Sequence, residues 1–158
     1  MKVLVTPRSY GKTDPQLFDM LKNAGLEVVR NETGGILDKE TMKTLLADCD
    51  GIIVGVDPLD AEVIAAAPKL KAIAKYGVGV DNIDVADAEA MGITVRNTPN
   101  ASSNAVAELA IGLMFSCARY ISIAGHTMRQ GKWEKKAYSK GFELCGKTLG
   151  VIGYGRIG

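Results

Sequence analysis

Short runs of β-branched and other apolar residues recur along the first part of the chain: Lys2 to Thr6, Leu26 to Arg30, Gly51 to Val54, Lys71 to Lys75 and Ile93 to Arg96. Each is too short for a helix and is bounded by turn-forming residues, which reads as a strand. The segments between them place apolar residues at helical spacing. Their starts are marked by residues that cap free N–H groups. Thr13-Asp14-Pro15-Gln16 predicts a capped first helix that stops at Gly25, and Asp38, Asp60 and Asp84 open three more. Strands alternating with single helices must run parallel, because each helix carries the chain back along the sheet. Right-handed crossovers then give a doubly wound α/β layer structure. The pattern βαβαβαβαβ fills residues 1–98, which reads as one domain.

The rhythm changes after residue 98. Ala101 to Arg129 reads as one long helix with Val106, Leu109, Ala110, Leu113, Met114, Cys117, Ile121, Ala124 and Met128 on one stripe. Such a helix outgrows a small domain. It either carries the stripe to a second domain or partner subunit, or serves as an ordinary core helix; amphipathicity alone leaves both open. Gly131-Lys132-Trp133 opens a polar, turn-rich stretch. Lys147 to Ile152 then reads as another strand, running into Gly153-Tyr154-Gly155-Arg156-Ile157-Gly158, where the sequence stops.

Composition narrows the classes of function. The 158 residues carry 19 Lys and Arg against 18 Asp and Glu, so no net field favours nucleic acid or an anionic membrane. No segment approaches a membrane-spanning length, and the N-terminal apolar run is too short for a signal peptide. Three widely spaced cysteines, Cys49, Cys117 and Cys145, offer neither a disulfide framework nor metal-ligand spacing, and reduced core thiols are expected. No metal is expected, and a cytoplasmic location fits best.

Two glycine clusters carry the candidate chemistry. The string Gly153, Gly155, Gly158 directly follows an apolar run, the context that a dinucleotide-binding fingerprint requires. Gly153 permits the tight turn, Gly155 lets a pyrophosphate approach the backbone, and Gly158 lets a helix pack closely. Arg156 and Ile157 would begin that helix, whose free N–H groups attract phosphate. The acidic residue expected about twenty positions further on to hold the ribose is not among these residues. The second cluster, Lys75-Tyr76-Gly77-Val78-Gly79-Val80-Asp81-Asn82, follows the fourth strand. There bare N–H groups can face a carboxylate and Lys75 adds charge. An ordinary turn, with Asp81 and Asn82 satisfying local backbone, is the competing reading. His126, the one histidine, sits near the end of the long helix, where a structural role is expected. Ser102, Ser103 and Asn104 read as helix caps rather than nucleophiles, and no catalytic residue is assigned.

The ordered series KYGVGVDNID (Lys75 to Asp84), Gly92 to Asn100, Val106-Ala107-Glu108-Leu109, Gly131-Lys132-Trp133 and Leu144 to Gly158 closely resembles the D-2-hydroxyacid dehydrogenase family, nearest its phosphoglycerate dehydrogenase branch. The resemblance implies a flavodoxin-like substrate domain at 1–98. Residues 99–158 would be an interdomain helix and the first strand of a truncated Rossmann domain. It implies NAD as cofactor and homodimerisation through Ala101–Arg129. By the same resemblance Gly77, Val78 and Gly79 hold the substrate carboxylate beside Lys75, Val78 also touches the nicotinamide, and Asn100 and Val106 line the cleft between domains.

The implied reaction is NAD-dependent oxidation of a small 2-hydroxyacid to the 2-oxoacid, by the branch 3-phospho-D-glycerate to 3-phosphooxypyruvate in serine biosynthesis. Its Arg and its His–Glu pair would lie beyond Gly158, which would leave these residues inactive alone. Two departures bear on substrate. Val54 runs into Gly55-Val56-Asp57 where the branch generally carries an Arg, and Lys75 stands where an Arg is usual, losing bidentate phosphate recognition. Glyoxylate or hydroxypyruvate reduction, or a non-catalytic NAD-sensing corepressor-like role, remain alternatives on this fold.

Overall fold

A computed structural model describes residues 1–158. Five strands, β1 (Lys2–Val5), β2 (Glu27–Arg30), β3 (Gly51–Val54), β4 (Ala72–Lys75) and β5 (Thr94–Arg96), form one sheet in the order β2-β1-β3-β4-β5. Every pairing is parallel, with Leu4 level with both Val29 and Ile52, and Ile73 level with both Ile52 and Val95. This is the flavodoxin-like order, whose switch point lies between β1 and β3. Helices α1 (Gln16–Asn23), α2 (Lys39–Leu46), α3 (Ala61–Ala65) and α4 (Val85–Ala90) connect the strands. The chain moves outward from β1 to β2 and then returns across the sheet. Right-handed crossovers therefore put α1 on one face and α2, α3 and α4 on the other.

The core lies under α2, α3 and α4. Leu4, Ile52, Val54 and Ile73 from the sheet meet Met42, Leu46, Val63, Ile64 and Ala88 from the helices, all essentially buried. The opposite face is thinner. No residue of α1 is buried, and Ala72, Ala74 and Thr94 of β4 and β5 face solvent. Parallel sheets are ordinarily covered on both faces, so this side of β4 and β5 is bare in the chain as it stands.

Three of the four expected caps form as the sequence indicates. Asp38, Asp60 and Asp84 each accept the N–H three residues on, from Thr41, Val63 and Asp87, at 2.8, 3.1 and 3.2 Å. The first helix differs: Asp14 rather than Thr13 accepts the Gln16 N–H, at 3.0 Å. That helix ends as expected at Gly25, whose φ of 74° lets Gly25 and Leu26 return N–H groups to the carbonyls of Lys22 and Leu21.

Beyond Pro99 the chain forms a second compact unit, residues 100–158. The single long helix expected over Ala101–Arg129 is two helices, α5 (Ser103–Arg119) and α6 (Ile121–Arg129), bent by 67° at Tyr120. The cause is a competition for hydrogen bonds. In a continuous helix the Ser122 N–H would reach the Ala118 carbonyl. Instead the Phe142 N–H donates to that carbonyl at 3.0 Å, and the Ser122 N–H goes to Ser116 Oγ at 3.3 Å. Tyr120 absorbs the turn at φ 57°, left-handed backbone that is costly outside glycine. Ser102 occupies the N-cap position of α5, but its hydroxyl makes no capping bond.

Residues 147–152, expected as a sixth strand, pair with no other strand, and the helix expected after Gly155 is absent. A parallel strand needs a hydrogen-bonded neighbour and apolar cover on both faces, and here Ile152 is fully exposed. The cysteine expectation is also corrected: Cys49 is buried, but Cys117 and Cys145 are exposed, and all three are free. No single helix is long and apolar enough to cross a membrane.

Candidate functional site

Open α/β sheets bind ligands in the crevice outside the carboxyl ends of their strands. At that edge β1 runs into Thr6, β3 runs into Gly55-Val56-Asp57, and β4 ends in Lys75 followed by the glycine loop. These ends are tied together by a buried polar network. Thr6 Oγ1 donates to Asp57 Oδ2 at 2.5 Å and accepts the Gly55 N–H at 3.2 Å, while Asp57 Oδ1 accepts the Leu37 N–H at 2.9 Å. Asn82 Nδ2 donates to the carbonyls of Gly55 and Asp57, at 3.2 and 2.7 Å. No buried side-chain nitrogen or oxygen lacks a partner.

Lys75 belongs to this network. It shares the core face of β4 with Ile73 and is 9% exposed, and its ammonium donates to the Gly55 carbonyl at 2.5 Å and to Asn82 Oδ1 at 2.6 Å. It forms no salt bridge, and burial pushes its pKa below the ordinary lysine value against the pull of Asp81 and Asp57. Lys75 thus braces the loop after β3 against the loop after β4.

The glycine loop is held open from the other side. Gly77 has φ 145°, and its carbonyl accepts both the N–H and the hydroxyl of Thr98, at 3.0 and 3.1 Å. Asn97 Nδ2 holds the Val78 carbonyl at 2.7 Å. With its carbonyls engaged by the segment after β5, the loop leaves the N–H groups of Val78, Gly79 and Val80 with no protein acceptor. Val78 is 39% exposed, so these donors sit at an accessible edge. Consecutive unpartnered amides form a concavity suited to a carboxylate or other small anion. The turn expected over Asp81 and Asn82 does close, the Ile83 N–H donating to the Val80 carbonyl at 2.8 Å, but the Asn82 side chain is spent on Lys75, Gly55 and Asp57 rather than on the amides of the loop.

Of the other positions singled out in the sequence, Asn100 and Val106 are exposed at the start of the second unit. Gly153 takes φ 93°, as a tight turn requires, and nothing crowds Gly155, yet Arg156, Ile157 and Gly158 are in no helix. Residues 153–158 therefore do not present a helix N-terminus in this structure. His126 is exposed on α6, its Nε2 facing Gln130 Nε2 at 2.9 Å, with no carboxylate bound to it.

Sequence reasoning placed Tyr76 and Asn82 in the glycine cluster but passed over Thr6 as a member of the carboxyl edge. A usable signal was present, since a polar residue ending an apolar strand of a parallel sheet lands at that edge.

Comparison with known proteins bears on this geometry. The family model described as D-isomer specific 2-hydroxyacid dehydrogenase, catalytic domain, matches residues 4–149. The hydroxypyruvate reductase of Thermotoga maritima is 50% identical over 123 residues, 77% of this chain and 40% of the relative. The human D-3-phosphoglycerate dehydrogenase is 44% identical over 146 residues, 92% of this chain and 27% of the relative. Among solved structures, the NAD+-bound 3-phosphoglycerate dehydrogenase of Entamoeba histolytica superposes with a TM-score of 0.65 at 37% identity, covering 75% of this chain and 39% of that one. The chain thus spans less than half the length of each of these relatives.

Proposed function

The chain belongs to the D-isomer specific 2-hydroxyacid dehydrogenase family, and from that premise we propose that its protein oxidises a D-2-hydroxyacid with NAD. The observation that carries the reading is the row of unpartnered N–H groups at Val78, Gly79 and Val80 on the carboxyl edge of the sheet. We assign this row to the substrate carboxylate. It needs no side-chain charge, because backbone dipoles fixed by Asn97, Thr98 and Lys75 supply the field.

NAD is the cofactor that the NAD+-bound relative supports. When bound, it would accept hydride from the substrate's C2. The fingerprint glycines have the required spacing, but residues 147–158 carry neither the strand nor the helix of a pyrophosphate cradle. In this conformation these residues do not fit the cofactor, and the role of this chain's first unit is to bind and orient substrate. His126 lacks a carboxylate partner, so the proton exchange is assigned to residues outside 1–158, and 1–158 alone is expected to show no turnover.

3-Phospho-D-glycerate is the first substrate to test, in keeping with the human relative. One observation favours a second reading. Lys75 is turned inward onto Gly55 and Asn82, which removes it from service to a phosphate, and the Thermotoga relative is a hydroxypyruvate reductase. Homodimerisation through α5 and α6 is also proposed. It is supported by the exposure of Leu109, Leu113, Ile121 and Met128, between 54% and 61% each.

The test is a nicotinamide-linked absorbance assay of the full-length protein with 3-phosphoglycerate, D-glycerate and D-lactate, and in reverse with hydroxypyruvate and glyoxylate. Turnover on any of these upholds the reading and ranks the substrates. No absorbance change with the whole panel would refute it.

A further inference from the structure

A cavity of about 770 Å³ in the first unit opens at the switch point between β1 and β3 and reaches Tyr76, the residue just before the glycine loop. Its walls include Arg8, Ser9 and Lys12 from the loop after β1, and Asn31 and Glu32 from the end of β2. We propose that this cavity is a subsite for a second anionic group of the substrate, remote from the reacting carbon, with Arg8 as the specificity-determining residue and Lys12 as its auxiliary. The inference rests on the dehydrogenase reading above and names the class of acid within it.

Charge and availability carry the argument. Lys75, the cation that the sequence placed beside the loop, is consumed by the Gly55 carbonyl and Asn82 Oδ1. Arg8 and Lys12, by contrast, are exposed and form no ion pair. The one bond from Arg8 is a long 3.5 Å contact from Nη1 to the Gly34 carbonyl across the cavity, which leaves the rest of its donor fork free. Of the two carboxylates in the wall, Asp57 is 3% exposed, bound to Thr6 and Leu37, and close enough to Lys75 for the two charges to act on each other. Glu32 is the other acid in the wall, against the two cations Arg8 and Lys12, and forms an ion pair with neither. A planar guanidinium beside an ammonium, at the carboxyl edge of a parallel sheet, suits phosphate or carboxylate.

The geometry also sets the length of the ligand. Only β3 separates β1 from β4, so their carboxyl ends stand two strand spacings apart, roughly 10 Å. An acid held by its C1 carboxylate at Val78–Val80 reaches Arg8 only if its second anion lies several bonds beyond C2. Glyoxylate and lactate are too short and carry no such group. A phosphorylated or dicarboxylic 2-hydroxyacid fits.

The discriminating measurement is the ratio of kcat/KM for a dianionic substrate to that for an uncharged-tail substrate in full-length wild type and Arg8→Gln. 3-Phosphoglycerate and D-malate are the dianionic arms, one for phosphate and one for carboxylate, and D-glycerate is the reference. Loss of a charged, multiply bonded contact predicts that the ratio falls about 10- to 100-fold in the better dianionic arm. Equal loss on all substrates, or no loss, overturns the proposal while leaving the dehydrogenase reading intact. A second readout does not depend on turnover: titration of the protein with inorganic phosphate, followed by NMR. Shifts at the Arg8 and Ser9 amides that vanish in Arg8→Gln uphold the subsite. Shifts at Val78–Val80 alone, unaltered in Arg8→Gln, overturn it.

Discussion

Lys75→Met tests whether the carboxyl edge is held by the network described above. The substitution keeps most of the aliphatic stem that packs beside Ile73 and deletes the ammonium, which bonds the Gly55 carbonyl at 2.5 Å and Asn82 Oδ1 at 2.6 Å. Gly55 keeps a donor in Asn82 Nδ2 at 3.2 Å, whereas Asn82 Oδ1 loses its bond. Hydrogen bonds from a charged donor contribute about 1.5–3 kcal/mol each, and burial opposes the ammonium, so the low end applies and the loss is about 3 kcal/mol. Urea unfolding followed by far-UV circular dichroism, with the slope unchanged, reads this directly. The pH dependence carries a definite sign. Burial lowers the folded-state pKa of Lys75 below its ordinary value of 10.5, so the folded protein releases this proton first. The penalty on the charged form is then constant at neutral pH and shrinks as pH rises toward 10.5, so wild type gains stability relative to Lys75→Met in that alkaline window. A destabilisation below about 1 kcal/mol at neutral pH would mean that the brace is not formed in solution, and would remove its support for the glycine loop.

Three further outcomes follow from the same structure. Gly77→Ala forces a side chain onto backbone at φ 145° and is expected to cost about 1–3 kcal/mol in urea unfolding, with kcat/KM of the full-length enzyme falling alongside; unaltered stability would contradict the loop geometry. Asp48, Asp50 and Asp60 are held below the ordinary carboxylate pKa, each chiefly by a lysine hydrogen bond, from Lys69, Lys71 and Lys39. That stability is present above pH 3.8 and lost as pH falls through the lowered values, a drop that 1 M salt should flatten in a melting-temperature series. Leu113→Glu puts a charge on a helix residue that is 54% exposed, and sedimentation velocity should show the proposed dimer dissociating; an unchanged sedimentation coefficient would place the interface elsewhere.

The parallel sheet was legible because its cues are local. β-branched runs, aspartate caps at Asp38, Asp60 and Asp84, and Gly25 after α1 each act within a few residues. The break at Tyr120 was not legible, because it turns on Phe142 taking the carbonyl of Ala118 from far along the chain. The apolar run before Gly153 looked like a strand because apolar content marks a segment fit for pairing without supplying its partner. At the site, the glycines of the loop after β4 announced themselves. The direction of Lys75 did not, since a lysine at a strand end can face outward or inward, and only the neighbouring Asn82 and the Gly55 carbonyl decide it.

Nearly all burial is concentrated on one side of Pro99: among fully covered apolar side chains, only Ala118 lies after it. Heating should therefore not melt the chain as one body. Residues 1–99 carry the cooperative core and should give the calorimetric peak. The helices after them, with one buried side chain between them, should exchange their amides quickly and yield first to a protease. Cleavage near Ala101 would then release a small parallel-sheet module that keeps its glycine loop, its cavity and its Lys75 brace, and a scaffold of that kind could be grafted or recombined without its remaining partner.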